Sequence, residues 1–336
     1  MSSLKKVIAT APTRIDLAGG TLDIWPLNVF FDNPVTVNMA IDIKVYATVI
    51  SRKDRKVVLT SEDLKKRVEF KNIESVHHRH ALGLLSRLAT FFIMDNAGVE
   101  ITTKSNAPSG AGLAGSSALN IALCGALSKF TGTNLRKDKL INVAKDVEAA
   151  LLGVPTGLQD YGAAVYGGVN AFHFPLGGME REKLADRNRE LEKSILLFYS
   201  GASRSSGINN WEMMKRVIAK DKKTIHKFVK ISECAKEVVA AIKAGNIADV
   251  EKAVDMEWKA RKALFPQIST KTIDLSITAG KRAGAKSARI CGAGGGGCFF
   301  LMAEPELHQK VISSVERFGA KNLSFKTCKS GLKLYN

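Results

Sequence analysis

Two carboxylates and two glycine-rich loops carry the chemical capacity of this sequence. Glu148 lies on an apolar-periodic stretch that precedes GVPTGLQD, and Asp160 ends that segment. Carboxylates flanking a Gly/Pro loop can divide the work, one holding a divalent cation and the other accepting or orienting a hydroxyl proton. A surface helix glutamate and a turn aspartate fit the same residues. The stretch SNAPSGAGLAGSSALNIAL, residues 105–123, sets a proline and a run of small residues ahead of a helical pattern. Gly110, Gly112 and Gly115 let backbone approach closely, and Ser116 and Ser117 stand where the helix should start. The first N–H groups of a helix lack intrahelical partners and carry partial positive charge, so such a loop can wrap a phosphate. A serine N-cap after a flexible turn is the competing reading, and this stretch alone leaves both open. It is not a Walker loop, for the Gly-Lys-Ser/Thr ending is missing, and it does not fit a Rossmann fingerprint. GAGGGGC at 292–298 is a second glycine loop, between apolar strands. Close approach to a ligand or to the first loop explains so many glycines better than a turn does.

The elements that must position these residues follow from pattern. KKVIATAPTRIDLAGG reads as a strand ending in a Gly turn, and VTVNMAIDIKVYATVISR as a strand or hairpin. RKVVLTSED and KRVEFKN continue that sheet, and residues 79–95 read as helix. GVEITTKSNAP is a strand leading into the first loop, and the helix after it ends at Gly132. KDKLINVAKDVEAALLG is a second helix, stopped by Gly153 and Pro155. AAVYGGVNAFHF and KSILLFYSG return to strand. Residues 210 to about 282 are mostly helical, and SARICGAGGGGCFFLMAE is strand, loop, strand. The last thirty residues give one helix and one or two strands. A lobe boundary falls at residues 175–185, where the chain turns polar.

The chain has 336 residues, 45% of them hydrophobic, enough for two lobes with a substantial core. No apolar run approaches the length of a membrane span, and the start has no leader pattern. Five scattered cysteines without CxxC spacing suit a reduced cytoplasm. The formal net charge of +18 keeps a nucleic-acid binder in view, but the basic residues are dispersed. Positive charge equally suits an enzyme of anionic substrates, whose local concentration it raises. His77, His78 and His80 form an exposed-looking cluster without carboxylates, which reads as solvated surface ahead of a metal site. Cys291 and Cys298 read as core.

Three segments in order, APTRIDLAGGTLDIWP, PSGAGLAGSSA and CGAGGGGCFFL, resemble the three signature regions of the GHMP small-molecule kinases over nearly the whole chain. The nearest branch looks like the heptose 7-phosphate kinases and the related fucokinase domain, which GLQDYGAAVYGG, LFYSGASRSS and EWKARKAL also resemble. The resemblance implies a two-lobed α/β (α+β) fold. Residues 1–180 would form an ATP-binding lobe with a left-handed βαβ crossover, and residues 181–336 a ferredoxin-like lobe. It places Pro108, Gly110, Ala111, Gly112, Leu113, Ala114, Gly115, Ser116 and Ser117 on ATP, and Ser117 and Glu148 on Mg2+. Asp160 becomes the catalytic carboxylate, with Arg14 near the transferred phosphoryl. Asp23, Gln159, Arg204, Gly294 and Gly295 fall on the acceptor. Two departures are visible: the phosphate loop has one residue more than the family's usual Gly-Leu-Gly-Ser-Ser, and GTLDIW differs from the usual Gly-Thr-Asp. The expected enzyme is a cytoplasmic ATP- and Mg2+-dependent kinase for a hydroxyl of a sugar or sugar phosphate, with no membrane partner. A mevalonate-type kinase is the alternative within the superfamily. A nucleic-acid-binding protein on a degenerate kinase fold is the alternative from another class, and intact Glu148, Asp160 and both loops argue against it.

Overall fold

The computed structural model describes residues 4–94, 97–184, 188–201 and 207–336. The first half runs β1 (Lys6–Ala18), α1 (Leu27–Phe30), β2 (Val35–Arg52), β3 (Val57–Ser61), β4 (Lys66–Phe70), α2 (Gly83–Phe92), β5 (Gly98–Ser105), α3 (Gly115–Thr131), α4 (Lys137–Leu152), α5 (Gln159–Tyr166), β6 (Val169–His173) and β7 (Glu180–Lys183). The second half runs α6 (Asn188–Ser194), β8 (Ile195–Tyr199), α7 (Gly207–Ile218), α8 (Lys222–Ala244), α9 (Ile247–Lys262), α10 (Lys271–Arg282), β9 (Ser287–Ile290), β10 (Cys298–Met302), α11 (His308–Glu316), β11 (Lys321–Leu323) and β12 (Lys333–Tyr335).

The larger sheet has the order β12-β1-β2-β5-β3-β4, with β6 and β7 branching from β2. All pairs are antiparallel except β3 with β5. The sheet reaches past residue 180: β7 pairs with β6, and β12 closes the β1 edge. The smaller sheet has the order β11-β8-β10-β9, all antiparallel, with helices between β8 and β9 and α11 between β10 and β11. This is the βαββαβ arrangement of a ferredoxin-like unit. Residues of both sheets, including Ile15, Val37, Leu197 and Phe300, share one apolar cluster with α8 and α9, so the halves are joined by core. Among the described residues no helix is long and apolar enough to cross a membrane.

Strand β1 explains why polar residues end up inside. It alternates over residues 6–10, as a half-covered strand should, and is then buried at every position from Ala11 to Ala18. Helices α3, α5, α8 and α9 all pack against this strand. Register shifts against β2 at Pro12/Thr13 and Asp16/Ala18 bracket Arg14. Bulges of this kind re-aim side chains.

Of the two readings of the 35–52 segment the strand holds: it is one long strand with no hairpin turn. Two expectations change. AAVY, expected as strand, is the second half of α5. Tyr161 and Val165, four residues apart, are buried, and Gly162 leaves room for the Phe172 ring. Gly167, at φ +66°, ends the helix, and β6 begins at Val169. The helix expected at 79–95 is confined to Gly83–Phe92; before it His80 Nδ1 accepts the Leu82 N–H.

The β9–β10 loop is stitched to the loop before α3. Cys298 N donates to Ala111 O at 2.6 Å, and a Cβ on Gly297 (φ +80°) would stand 2.7 Å from that same oxygen. Gly177 (φ +95°) has open space around its Cβ position. Both positions carry the left-handed penalty for alanine, but only Gly297→Ala adds a backbone clash. By thermal and urea denaturation Gly297→Ala should lose roughly 1–3 kcal/mol more than Gly177→Ala. Equal losses would show that the two loops are not in contact.

Candidate active site

A cavity of about 470 Å³ opens where the ends of β1, β5, α4 and α5 meet the β9–β10 loop. Its rim is the segment between β5 and α3. Gly110, Gly112 and Ala114 take φ of +66°, +71° and +60°, so the chain there winds with alternating hand. Backbone of this kind can form a concavity in which N–H groups meet an anion; here Ala111 N donates to Pro108 O at 3.1 Å. Ala114 is the N-cap of α3 and offers no side-chain cap. The serine N-cap reading therefore fails: Ser116 and Ser117 lie within the first turn, and their hydroxyls point at α4. Ser116 Oγ donates to Glu148 Oε1 at 2.7 Å and Ser117 Oγ to Oε2 at 3.0 Å. Tyr161 Oη donates to Oε2 at 2.5 Å. Glu148 is 6% exposed, and burial pushes its carboxyl above the ordinary range against these three donors.

Arg14 is the centre of the site. Its Nε and Nη2 both meet Asp160 Oδ1 at 2.8 Å, and its Nη1 donates at 2.7 Å to Gly112 O and to Cys291 O. One planar cation thus touches the first-turn carboxylate of α5 and both glycine loops. Arg14 is buried, whereas the Asp160 side chain keeps 27% of its surface and faces the cavity.

Asp23 lies on the turn after β1 and lines the same cavity. Its Oδ2 accepts Gln159 N at 3.0 Å. Burial pushes its carboxyl up to about 6, helped by the Asp160 charge and opposed by that N–H. A Cβ on Gly157 would sit 1.9 Å from Asp23 Oδ2, so glycine is what admits the carboxylate. The Gln159 side chain is buried, and its Oε1 has no partner among the described residues.

The other expected positions divide. Pro108, Ala111 and Leu113 line the cavity with the rest of their loop. Gly292 and Ala293 line it too, but Gly294 and Gly295 lie against Ile268, whose carbonyl accepts Gly295 N at 2.8 Å. Arg204 falls outside the described residues. His80 lines the cavity, and among the described residues no group of three His, Cys, Asp or Glu side chains is placed to hold a metal. Cys291 and Cys298 are core, as expected, and burial pushes the Cys291 thiol up to about 12.

Four buried charges escaped the sequence reading. Arg289 on β9 donates to Glu257 Oε2 at 2.8 Å and to Asp16 Oδ2 at 3.0 Å. Arg261 donates to Glu257 Oε1 at 2.9 Å and to Gly20 O at 2.6 Å. Burial raises Glu257, but Arg261 and Arg289 outweigh it and hold its carboxyl at about 2. EWKARKAL did carry a signal, a Glu and an Arg four apart on one helix face.

The family profile described as GHMP kinases N terminal domain matches residues 78–168, and the one described as GHMP kinases C terminal matches residues 238–321. The chain is 24% identical to the D-glycero-alpha-D-manno-heptose 7-phosphate kinase of Campylobacter jejuni, covering 98% of this chain and 99% of that one. It is 26% identical to the mevalonate kinase of Pyrococcus furiosus, covering 98% of each. Among solved structures, a D-glycero-D-manno-heptose 1-phosphate kinase from Bacteroides thetaiotaomicron superposes with a TM-score of 0.81 at 20% identity, over 98% of this chain and 99% of that one.

The Asp23 environment has a consequence for stability. A carboxyl moved from 3.8 to about 6 binds its proton more tightly in the folded state than in the unfolded one. The penalty is absent below about pH 4, grows as pH rises through 6, and is full above that. Asp23→Asn keeps an acceptor for Gln159 N and should stabilise the fold at pH 8 by up to roughly 3 kcal/mol, with no gain at pH 4. Urea titrations at both pH values check this; a gain independent of pH would contradict it.

Proposed function

The chain belongs to the GHMP kinases, ATP-dependent small-molecule phosphotransferases, and from that premise we propose that its acceptor is a hydroxyl of a sugar or sugar phosphate. The observation that carries the reading is the Arg14 junction, which fixes Asp160, the one partly exposed carboxylate of the group, against the phosphate loop. Phosphoryl transfer needs an acceptor in line with the γ-phosphate and charge neutralised around it, and little covalent chemistry from the protein. In this assignment the loop between β5 and α3 and the N-terminus of α3 hold the ATP phosphates. Arg14 balances charge between the loop and Asp160. Asp160 accepts or orients the proton of the attacking hydroxyl.

Ser117 and Glu148 are oxygen donors brought together at the loop, a set that suits Mg2+, which takes one or two protein oxygens plus phosphate. When bound there the ion would neutralise charge on the phosphates. Tyr161 and Ser116 hold the Glu148 carboxylate in place.

Asp23, fixed by Gln159 N, supports a polyhydroxylated acceptor, since carboxylates accept from hydroxyls. The likeness to the heptose 7-phosphate kinase, over nearly all of both chains, supports it too. A mevalonate-type acceptor is the second reading, favoured by the equally long likeness to the P. furiosus mevalonate kinase.

An ADP-release screen over free sugars, sugar phosphates, inositols and mevalonate separates the readings; efficient turnover of mevalonate alone would overturn the sugar assignment. With the best acceptor, Asp160→Asn should lower kcat by roughly 10²–10⁴-fold and leave MgATP affinity within about threefold, because the cradle is backbone and metal. Near-normal kcat would move the base elsewhere. Glu148→Gln should raise the Mg2+ concentration needed for half-maximal rate; an unchanged requirement would remove Glu148 from the metal.

A further inference from the structure

Arg261 has no part in the assignment above. It stands near the C-terminal end of α9, is 2% exposed, and still lines the cavity. Three of its contacts are strong: Nε and Nη2 donate to Glu257 Oε1 at 2.9 and 2.8 Å, and Nη2 donates to Gly20 O at 2.6 Å. The remaining nitrogen, Nη1, carries two N–H groups and has a single contact among the described residues, Thr21 Oγ1 at 3.5 Å, the limit of a hydrogen bond. Leaving a buried cationic donor poorly paired is unfavourable. The guanidinium is thus clamped on one side and underused on the side where the cavity lies.

Thr21 is the second observation. Its φ is +79°, in the left-handed region that β-branched residues avoid, which costs about 1–3 kcal/mol. It is held there by the Arg261 bond to Gly20 O, by Gly19 N donating to Glu257 Oε1 at 3.2 Å, and by its own hydroxyl, which donates to Asn210 Oδ1 at 3.2 Å. Thr21 and Asn210 both line the cavity. A guanidinium, a hydroxyl and a carboxamide from three distant stretches therefore converge two residues from Asp23. Arg261 shares Glu257 with Arg289, which also pairs with Asp16, so Glu257 does not neutralise Arg261 alone.

We propose that Arg261, with Thr21 and Asn210, forms a subsite for an anionic group on the acceptor, a phosphate ester or a carboxylate, while Asp23 and Asp160 face its hydroxyls. Nη1 gives the charge-assisted bonds, and Glu257 fixes their direction. The proposal rests on the kinase reading and narrows its substrate to a charged hydroxyl compound.

The test is steady-state turnover with matched acceptors, each charged compound against its uncharged counterpart: sugar phosphates against the free sugars, and mevalonate against the triol that lacks its carboxylate. Which pair responds tells phosphate from carboxylate. MgATP affinity is measured by calorimetry alongside. Arg261→Met should raise KM for the charged member by about tenfold or more, and change KM for the neutral member and MgATP affinity by less than about threefold; Arg261→Lys should recover part of the loss. Because Arg261→Met breaks a buried ion pair, Asn210→Ala, which leaves that pair intact, is run as well and should act in the same direction by a smaller factor. Equal losses on charged and neutral acceptors in both variants would overturn the subsite, as would a wild-type enzyme that turns over no charged acceptor. Turnover of neutral sugars alone sinks the subsite and leaves the kinase reading standing. ADP release with no hydroxyl compound at all sinks both.

Discussion

The site depends on burying one guanidinium. Arg14 sits in the fully covered half of β1, where a charge is tolerated only if it is paired and its N–H groups are met. Four of its five N–H groups are met: two by Asp160, one by Gly112 O and one by Cys291 O. Each partner comes from a different element, so satisfying the cation fixes the first turn of α5, the loop before α3 and the β9–β10 loop relative to β1. A lysine ammonium has three donors on a flexible stem and cannot hold a planar fork. The covering layers that bury Arg14 are thus also what give it its partners.

The cluster of Asp16, Arg289, Glu257 and Arg261 repeats this logic one layer out. Glu257 is fully buried and stays ionised because two guanidinia share it. The cluster ties β9 and α9 of the second half to Asp16 on β1 and to the turn at Gly19–Thr21. Removing one member would leave an uncompensated buried charge, so the halves are coupled by electrostatics as well as by their shared apolar cluster. The turn that carries Asp23 is held from the far side of the chain, which fixes a carboxylate that burial alone would leave poorly directed.

Much of the fold was legible because its signals are local. Strand patterns marked β1, β2 and β5, and the glycine loops stood where expected, one between strand and helix and one between two strands. The α5 helix was missed because AAVY is short, apolar and small, and strand and helix look alike over four such residues; Gly162 against Phe172 decides it only in three dimensions. Arg14, Asp160, Asp23, Glu148, Ser116 and Ser117 were named as candidates, and they line one cavity. What bonds them was not legible. The Arg289–Asp16 contact joins residues 273 positions apart, and no spacing rule reaches that far. Nor does sequence show that Ser116 and Ser117 would turn to Glu148 and leave the N-cap to Ala114.

The central claim is that Arg14 and Asp160 work as one unit that joins the phosphate loop to the acceptor. A double-mutant cycle measures this directly: acceptor-dependent ADP formation by wild type, Arg14→Gln, Asp160→Asn and the double variant, with the best acceptor and saturating MgATP. Groups that act together show strongly non-additive losses. The double variant should be about as slow as the slower single variant. Losses that multiply would contradict the account, because the two side chains would then be contributing independently.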